Sequence, residues 1–302
     1  MAPLNSGVCF SEKISVTGDA KTAKGPILVI SVFLALTMIF YFAGVWLIFR
    51  LSSATPLMLS VGLAAVVTCL VTRKELRTLG WWWGSWKIQW LSYCLPLFYA
   101  ALAYGLIWTL GLGGWYNVDF VQEQKESYNL VAWSNAAVIG LHFLLTATVS
   151  FVLLLPSVLG EELGWRGLLV PELSKLMPFT GVALVSGLLW AVWHWPLMFM
   201  GLYGMGEATP FLYQLAFFTL CIMSMSVVMT YFRLKTDSVW PAVIFHMSHN
   251  VFLQKFFAPM TEGNANSAWF LDEFGLVVPS VLVVIAVYYG RRGCLEFHAI
   301  KT

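Results

Sequence analysis

The sequence predicts an all-α fold: a polytopic transmembrane helix bundle of about eight spans with both termini in the cytoplasm. Three observations carry that reading. The composition is apolar, the chain contains a succession of runs long enough to cross a bilayer, and its basic residues fall mostly on one side. Of 302 residues, 59% are apolar and 11% charged, whereas soluble domains are about half apolar and about a quarter charged. The 15 tryptophans suit the headgroup level, where an amphipathic ring is at home. A net charge of +2 gives no basic surface for nucleic acid, so no nucleic-acid partner is expected. The five cysteines (Cys9, Cys69, Cys94, Cys221, Cys294) are odd in number and irregular in spacing. They imply neither a disulfide framework nor a cysteine metal site.

A spanning helix needs about 20 mostly apolar residues. The candidate runs are 27–49, 56–72, 89–113, 130–158, 180–203, 210–232, 238–257 and 276–290, and the fourth can extend past Gly160 to about Val170. This divides the chain into an N-terminal segment (1–26), a bundle (27–292) and a tail (293–302). Residues 1–26 contain Lys13, Lys21 and Lys24 and no apolar run of the kind a secretory signal requires. With eight spans both termini face one side, and that side receives 14 of the 17 Lys and Arg residues. The other side receives Arg50, Lys125 and Lys255, together with most loop acids. The positive-inside rule then places the termini in the cytoplasm.

Three places set ionisable groups inside spans, where a charge costs about 2.5–3.5 kcal/mol on insertion scales. The first is Gly160-Glu161-Glu162-Leu163-Gly164-Trp165-Arg166. Read as one continuous helix, Glu162 and Arg166 share a face and pair. Glu161 points about 100° away without that partner, and a desolvated free carboxylate is suited to general-base work. Pro156 predicts a kink one turn earlier. A second reading ends the helix at Gly160 and leaves both glutamates in the interface. The second place is Trp190-Ala191-Val192-Trp193-His194-Trp195-Pro196. His194 lies well inside its span with Trp190 on the same face, although a lone buried histidine is more often a packing residue. His142, without such neighbours, reads as packing. The third is Asp237-Ser238, a natural N-cap, followed by His246, Ser248, His249 and Asn250. His246 and Asn250 share a face, as a common ligand or as polar glue between helices. Counting along the helices puts His194 ~20 Å, His246 ~13 Å and Glu161 ~14 Å from cytoplasmic ends. Three helices can thus bring Glu161, His194, His246 and Asn250 together in the cytoplasmic half.

These segments resemble the motifs of the CPBP family of intramembrane proteases (CAAX proteases and bacteriocin-processing proteins, also called ABI). The family pattern is Glu-Glu-x-x-x-Arg, then aromatic-x-x-x-His, then His-x-x-x-Asn or Asp. Here it reads Glu161-Glu162-…-Arg166, Trp190-…-His194 and His246-…-Asn250, within roughly residues 155–255. The resemblance implies that Glu161 and His194 activate the attacking water, that His246 and Asn250 stabilise the oxyanion, and that Glu162 and Arg166 hold the helix geometry. The family often has Phe where this chain has Trp190. That departure keeps an aromatic wall and bears on substrate size. His249 falls outside the motif.

The implied activity is hydrolysis of a peptide bond in a membrane-associated peptide or lipid-modified protein near the cytoplasmic face, with membrane lipids as surroundings. The family's eukaryotic members trim the last three residues of prenylated CAAX proteins, and its bacterial members are linked to bacteriocin maturation, immunity and peptide signals. A bacterial cytoplasmic membrane is the expected location. A metal-free mechanism is favoured. Zinc on Glu161, His194 and His246, with His249 as a spare, is the alternative, but a zinc site wants a separate free base and Glu162 is committed to Arg166. A non-catalytic immunity or regulatory protein using the same cavity is the competing function. A proton-relaying transporter ranks behind it, because the polar groups cluster in one half of the chain.

Overall fold

A computed structural model describes residues 24–298. Most of the expected N-terminal segment, and residues 299–302 of the tail, lie outside the described residues. The described chain is helical, with one isolated bridge between Gly114 and Glu262. We number the helices α1 (Pro26–Leu51), α2 (Thr55–Thr72), α3 (Trp86–Thr109), α4 (Val118–Ser127), α5 (135–174), α6 (Phe179–Phe199), α7 (Phe211–Thr236), α8 (240–260) and α9 (Val277–His298). Among the described residues, seven helices are long and apolar enough to cross a membrane; they correspond to α1, α2, α3, the first part of α5, α6, α7 and α9. The protein is a multi-pass membrane protein.

The eighth expected crossing is α8. It has spanning length but carries His246, Ser248, His249, Asn250, Gln254 and Lys255; the first five are buried or half-buried by protein, and Lys255 is exposed. Pro26 and Pro56 start α1 and α2 at positions where a missing N–H costs nothing. The short α4 is polar, capped by Asn117, and was not anticipated. It lies in the connection that the sequence leaves as a loop.

Helix α5 is the longest element and the least regular. Ser134 caps its start, its Oγ accepting from the Ala137 N–H at 3.3 Å. The helix bends at Leu154, two residues before Pro156, because the proline ring cannot supply an N–H to the Val152 carbonyl. Beyond the bend it runs without a break through Glu161 and Glu162 to Ser174. Wide π turns follow Glu162 (Leu163–Leu169) and begin at Asn250 in α8 (Asn250–Phe257). Such turns often accompany functional sites because they re-aim neighbouring side chains.

Small residues let α2 approach α5. A Cβ on Gly62 would lie 2.6 Å from the Gly160 carbonyl oxygen, and one on Gly160 would lie 2.8 Å from the Leu59 Cα. Backbone contact of this kind is how membrane helices pack without a hydrophobic driving force. On the basic side, Glu172 ties the end of α2 to the end of α5 through Lys74 at 2.8 Å and Lys175 at 2.7 Å. Arg233 of α7 donates its Nε–H to the Arg166 carbonyl at 2.8 Å, joining α7 to the glutamate motif. Ser238 Oγ accepts from the Trp240 N–H at 3.2 Å, so of the two expected caps of α8 the serine is used. Asp237 instead ends α7 in the left-handed region and pairs with Arg233 at 2.7 Å.

Candidate active site

The four residues read as a catalytic set line one cavity of about 240 Å³, which Glu161, His194, His246 and Asn250 share with Trp190. They come from α5, α6 and α8. The inner ends of these helices are staggered. His194 is ~22 Å along α6 while His246 is only ~9 Å along α8. The two nevertheless line the same cavity.

Glu162 and Arg166 are fully buried and joined at 3.1 Å from Nη1 to both carboxylate oxygens. The pairing expected from their spacing is therefore present. Glu162 also accepts from His246, whose Nδ1 lies 2.9 Å from Oε1. The carboxylate thus ties α5 to α8, a second task that the spacing does not reveal. Two Arg166 nitrogens, Nε and Nη2, have no hydrogen-bond partner. The guanidinium instead lies over the Trp190 ring at 4.1 Å, where the ring's π face offsets part of its charge.

Among the described residues, Glu161 has no Arg or Lys partner within ion-pair distance. Its Oε2 accepts the Trp190 indole N–H at 2.9 Å. The departure from phenylalanine at position 190 therefore touches the carboxylate itself and not only the shape of the cavity, since only an indole supplies that donor. His194 donates from Nδ1 to the Trp190 carbonyl at 2.9 Å. A carbonyl can only accept, so that nitrogen holds the proton and Nε2 is left as an acceptor. The His194 ring is clamped by Trp193, Phe218 and Tyr203, with centroids at 4.8, 5.2 and 5.8 Å. His142 is held by Tyr128 Oη at 2.7 Å and the Lys255 carbonyl at 3.0 Å, away from the cavity, as a packing residue would be.

The proposed zinc donors do not converge. Among the described residues, the set of His, Cys and acidic groups whose ligand atoms all lie within 4.8 Å of one another is Cys221, His249 and Glu273, not Glu161, His194 and His246. Glu161 Oε2 and His246 Nδ1 are occupied by Trp190 and Glu162. As arranged here, Glu161, His194 and His246 do not fit the alternative three-ligand zinc set.

Residues 143–252 match the family of type II CAAX prenyl endopeptidases described as Rce1-like. The core of this chain is thus similar to that family. It is also 35% identical over 106 residues to CAAX prenyl protease 2 of Methanococcus maripaludis. That alignment covers 34% of this chain and 38% of the relative, so the chain spans under two fifths of the curated protein it matches. The Rce1-like stretch contains all three motifs, including the glutamates, both motif histidines and Asn250.

Sequence reasoning missed several cavity-lining groups that lie outside the motifs, namely Tyr203, Gln254 and Glu273, and it set His249 aside. Tyr203 and Glu273 sit in connections between helices, where the sequence offers no period from which to read their direction. His249 had a signal, a third polar group in α8, but its partner lies 24 residues away.

The cavity is also lined by Ala54, Leu57, Met58, Leu154 and Leu197. Its exposed rim is Ala54, with the half-buried Met58 and Leu154 beside it. No residue of the connections on the basic side (73–85, 175–178, 237–239) contributes to the lining. The cavity therefore reaches toward the α1–α2 turn, between α2 and the bend in α5.

Proposed function

We propose that the protein is an intramembrane endopeptidase that hydrolyses a peptide bond of a membrane-associated peptide or lipid-modified protein, in the cell membrane and without a metal. The observation that carries this reading is Glu161: a buried carboxylate that forms no ion pair with Arg or Lys among the described residues and shares a single cavity with His194, whose Nδ1 is held by the Trp190 carbonyl. The match to CAAX prenyl endopeptidases supports it, and a prenylated cysteine peptide is the first substrate to offer. The lining supports entry at the level of the α1–α2 turn.

The chemistry follows from the donors and acceptors. A water held between Glu161 and the acceptor Nε2 of His194 gives one proton to the Glu161 carboxylate as its oxygen attacks the scissile carbonyl carbon. The carbonyl π pair moves onto oxygen. His246 already donates Nδ1–H to Glu162. With a second proton on Nε2 it becomes a cationic donor to that oxyanion, and the Glu162 carboxylate balances the charge. Asn250 supplies an amide N–H to the same oxygen. Donors fixed before the reaction stabilise charge where it develops without reorganising. Collapse of the tetrahedral species expels the amine, which takes the proton from Glu161.

The test uses full-length protein purified in detergent and a fluorogenic prenylated-cysteine peptide, with and without EDTA. Cleavage that survives EDTA and disappears in Glu161→Gln supports the reading. Cleavage that Glu161→Gln leaves intact overturns the site, and cleavage abolished by EDTA and restored by zinc overturns the metal-free mechanism.

A further inference from the structure

A second buried polar cluster adjoins the catalytic groups and is not used by the mechanism above. Its centre is Glu273, carried by the connection between α8 and α9 and only 2% exposed. Oε1 accepts from Tyr203 Oη and from Gln254 Nε2, the latter at 3.1 Å. Oε2 lies 3.2 Å from His249 Nε2, and the other nitrogen of that ring meets Tyr99 Oη. A single tautomer satisfies the whole chain: Tyr99 donates to Nδ1, and Nε2–H donates to the carboxylate. The partners come from α3, α8 and the α6–α7 connection. His249 and Tyr203 donate to the carboxylate and hold it below the usual carboxylate range against the upward push of burial, so it is charged.

A buried charge with several bespoke donors is an expensive way to fill space, because an apolar side chain of similar size would pack without desolvation cost. The connection that carries it is pinned as well. Asp272 adopts φ +61°, a left-handed conformation that costs a non-glycine residue strain. Asp272 Oδ1 accepts the Glu273 N–H at 2.9 Å. Leu276 N–H donates to the Trp269 carbonyl at 2.9 Å. Glu273 is thus presented into the cavity from a fixed base.

Its two arms end on the catalytic set. Tyr203, anchored by Glu273, lays its ring against the imidazole of His194. His249, anchored by Glu273, directly precedes Asn250 at the start of the π turn. We propose that Glu273 is a positioning residue for peptide hydrolysis, fixing the His194 ring through Tyr203 and the Asn250 backbone through His249. Cys221 has its sulfur within metal-ligand spacing of His249 and Glu273. Yet the facing His249 and Glu273 atoms already bond to each other, and the hydrogen-bonded chain is complete without an ion.

This inference rests on the proposed peptidase reading, and the experiment separates the two. Wild type, Glu161→Gln, Glu273→Gln, Tyr203→Phe and the Glu273→Gln/Tyr203→Phe double variant are purified in detergent and assayed with the same peptide. Displacing a reacting group by ångström amounts costs ten- to a hundredfold, so each single variant at 203 or 273 is expected to lose about tenfold in kcat with KM changed less than about twofold. The double variant is expected to be no worse than Glu273→Gln, because both act through one chain. Wild-type kcat in Glu273→Gln, a loss expressed in KM, or additive losses in the double variant overturns the inference. So does stoichiometric zinc in the purified protein that Cys221→Ala removes. Should Glu273→Gln fail to fold, Tyr203→Phe alone carries the kcat test. An inactive wild type refutes the peptidase reading instead.

Discussion

The Trp190 indole N–H donates to Oε2 of Glu161 at 2.9 Å, so the aromatic motif residue of α6 holds the proposed base of α5. Trp190→Phe keeps a six-membered ring near the Arg166 guanidinium and removes the donor together with the pyrrole half of the buried indole. A hydrogen bond to a charged group contributes about 1.5–3 kcal/mol. The substitution is therefore expected to lower kcat about tenfold with KM nearly unchanged, measured by steady-state cleavage of the prenylated peptide. An unchanged kcat would show that Glu161 is oriented by its backbone alone.

Arg166→Met leaves the fully buried Glu162 facing only His246. Removing one partner of a buried pair costs about 3–5 kcal/mol, and a loss of that order is expected in unfolding measured by SDS titration. Adding Glu162→Gln removes the stranded charge and should recover more than half of it. Activity should stay low in the double variant, because His246 loses the carboxylate that balances its charge.

Gly160→Ala tests the close approach of α2 and α5. Its Cβ would sit 2.8 Å from the Leu59 Cα, a backbone atom that cannot swing aside. Overpacking costs about 1–3 kcal/mol, and the neighbouring Glu161 should be displaced, so kcat is expected to fall further than stability explains. Gly140→Ala on the same helix meets nothing within 4 Å. It is expected to be neutral, or to stabilise by about 0.5–1 kcal/mol as alanine commonly does in a helix. Thermal melting in detergent compares the two.

Glu161→Gln keeps an oxygen to accept from Trp190 but cannot take a proton from water. General-base catalysis contributes about 10²–10⁴-fold, and turnover is expected to fall by that factor while peptide binding, read by fluorescence anisotropy, persists. Loss of binding would mean that the carboxylate recognises the peptide rather than the water.

Much of this was legible in the sequence because lipid enforces simple rules. A charge inside a span needs a reason, so Glu161, Glu162, Arg166, His194 and His246 stood out from their apolar neighbours. Helical spacing was enough to pair Glu162 with Arg166 and to leave Glu161 free. Pro156 announced the bend. What remained hidden depends on contacts between elements. That Glu162 also holds His246 requires knowing how α5 faces α8. That Trp190 is a donor to Glu161, and not merely a wall, requires the ring's orientation. Glu273 and Tyr203 lie in connections, where no periodicity reports direction.

The exposed rim at Ala54, flanked by Met58 and Leu154, gives the proposed reaction an unusual concentration variable. A substrate held in the membrane is counted per lipid, not per litre. Diluting enzyme and peptide together into more buffer should leave the rate per enzyme unchanged, whereas adding inert lipid or detergent at fixed molarity should slow it. Any Michaelis constant for this protein would then be a mole fraction within the membrane, and its cell would tune turnover by how densely the substrate populates the bilayer.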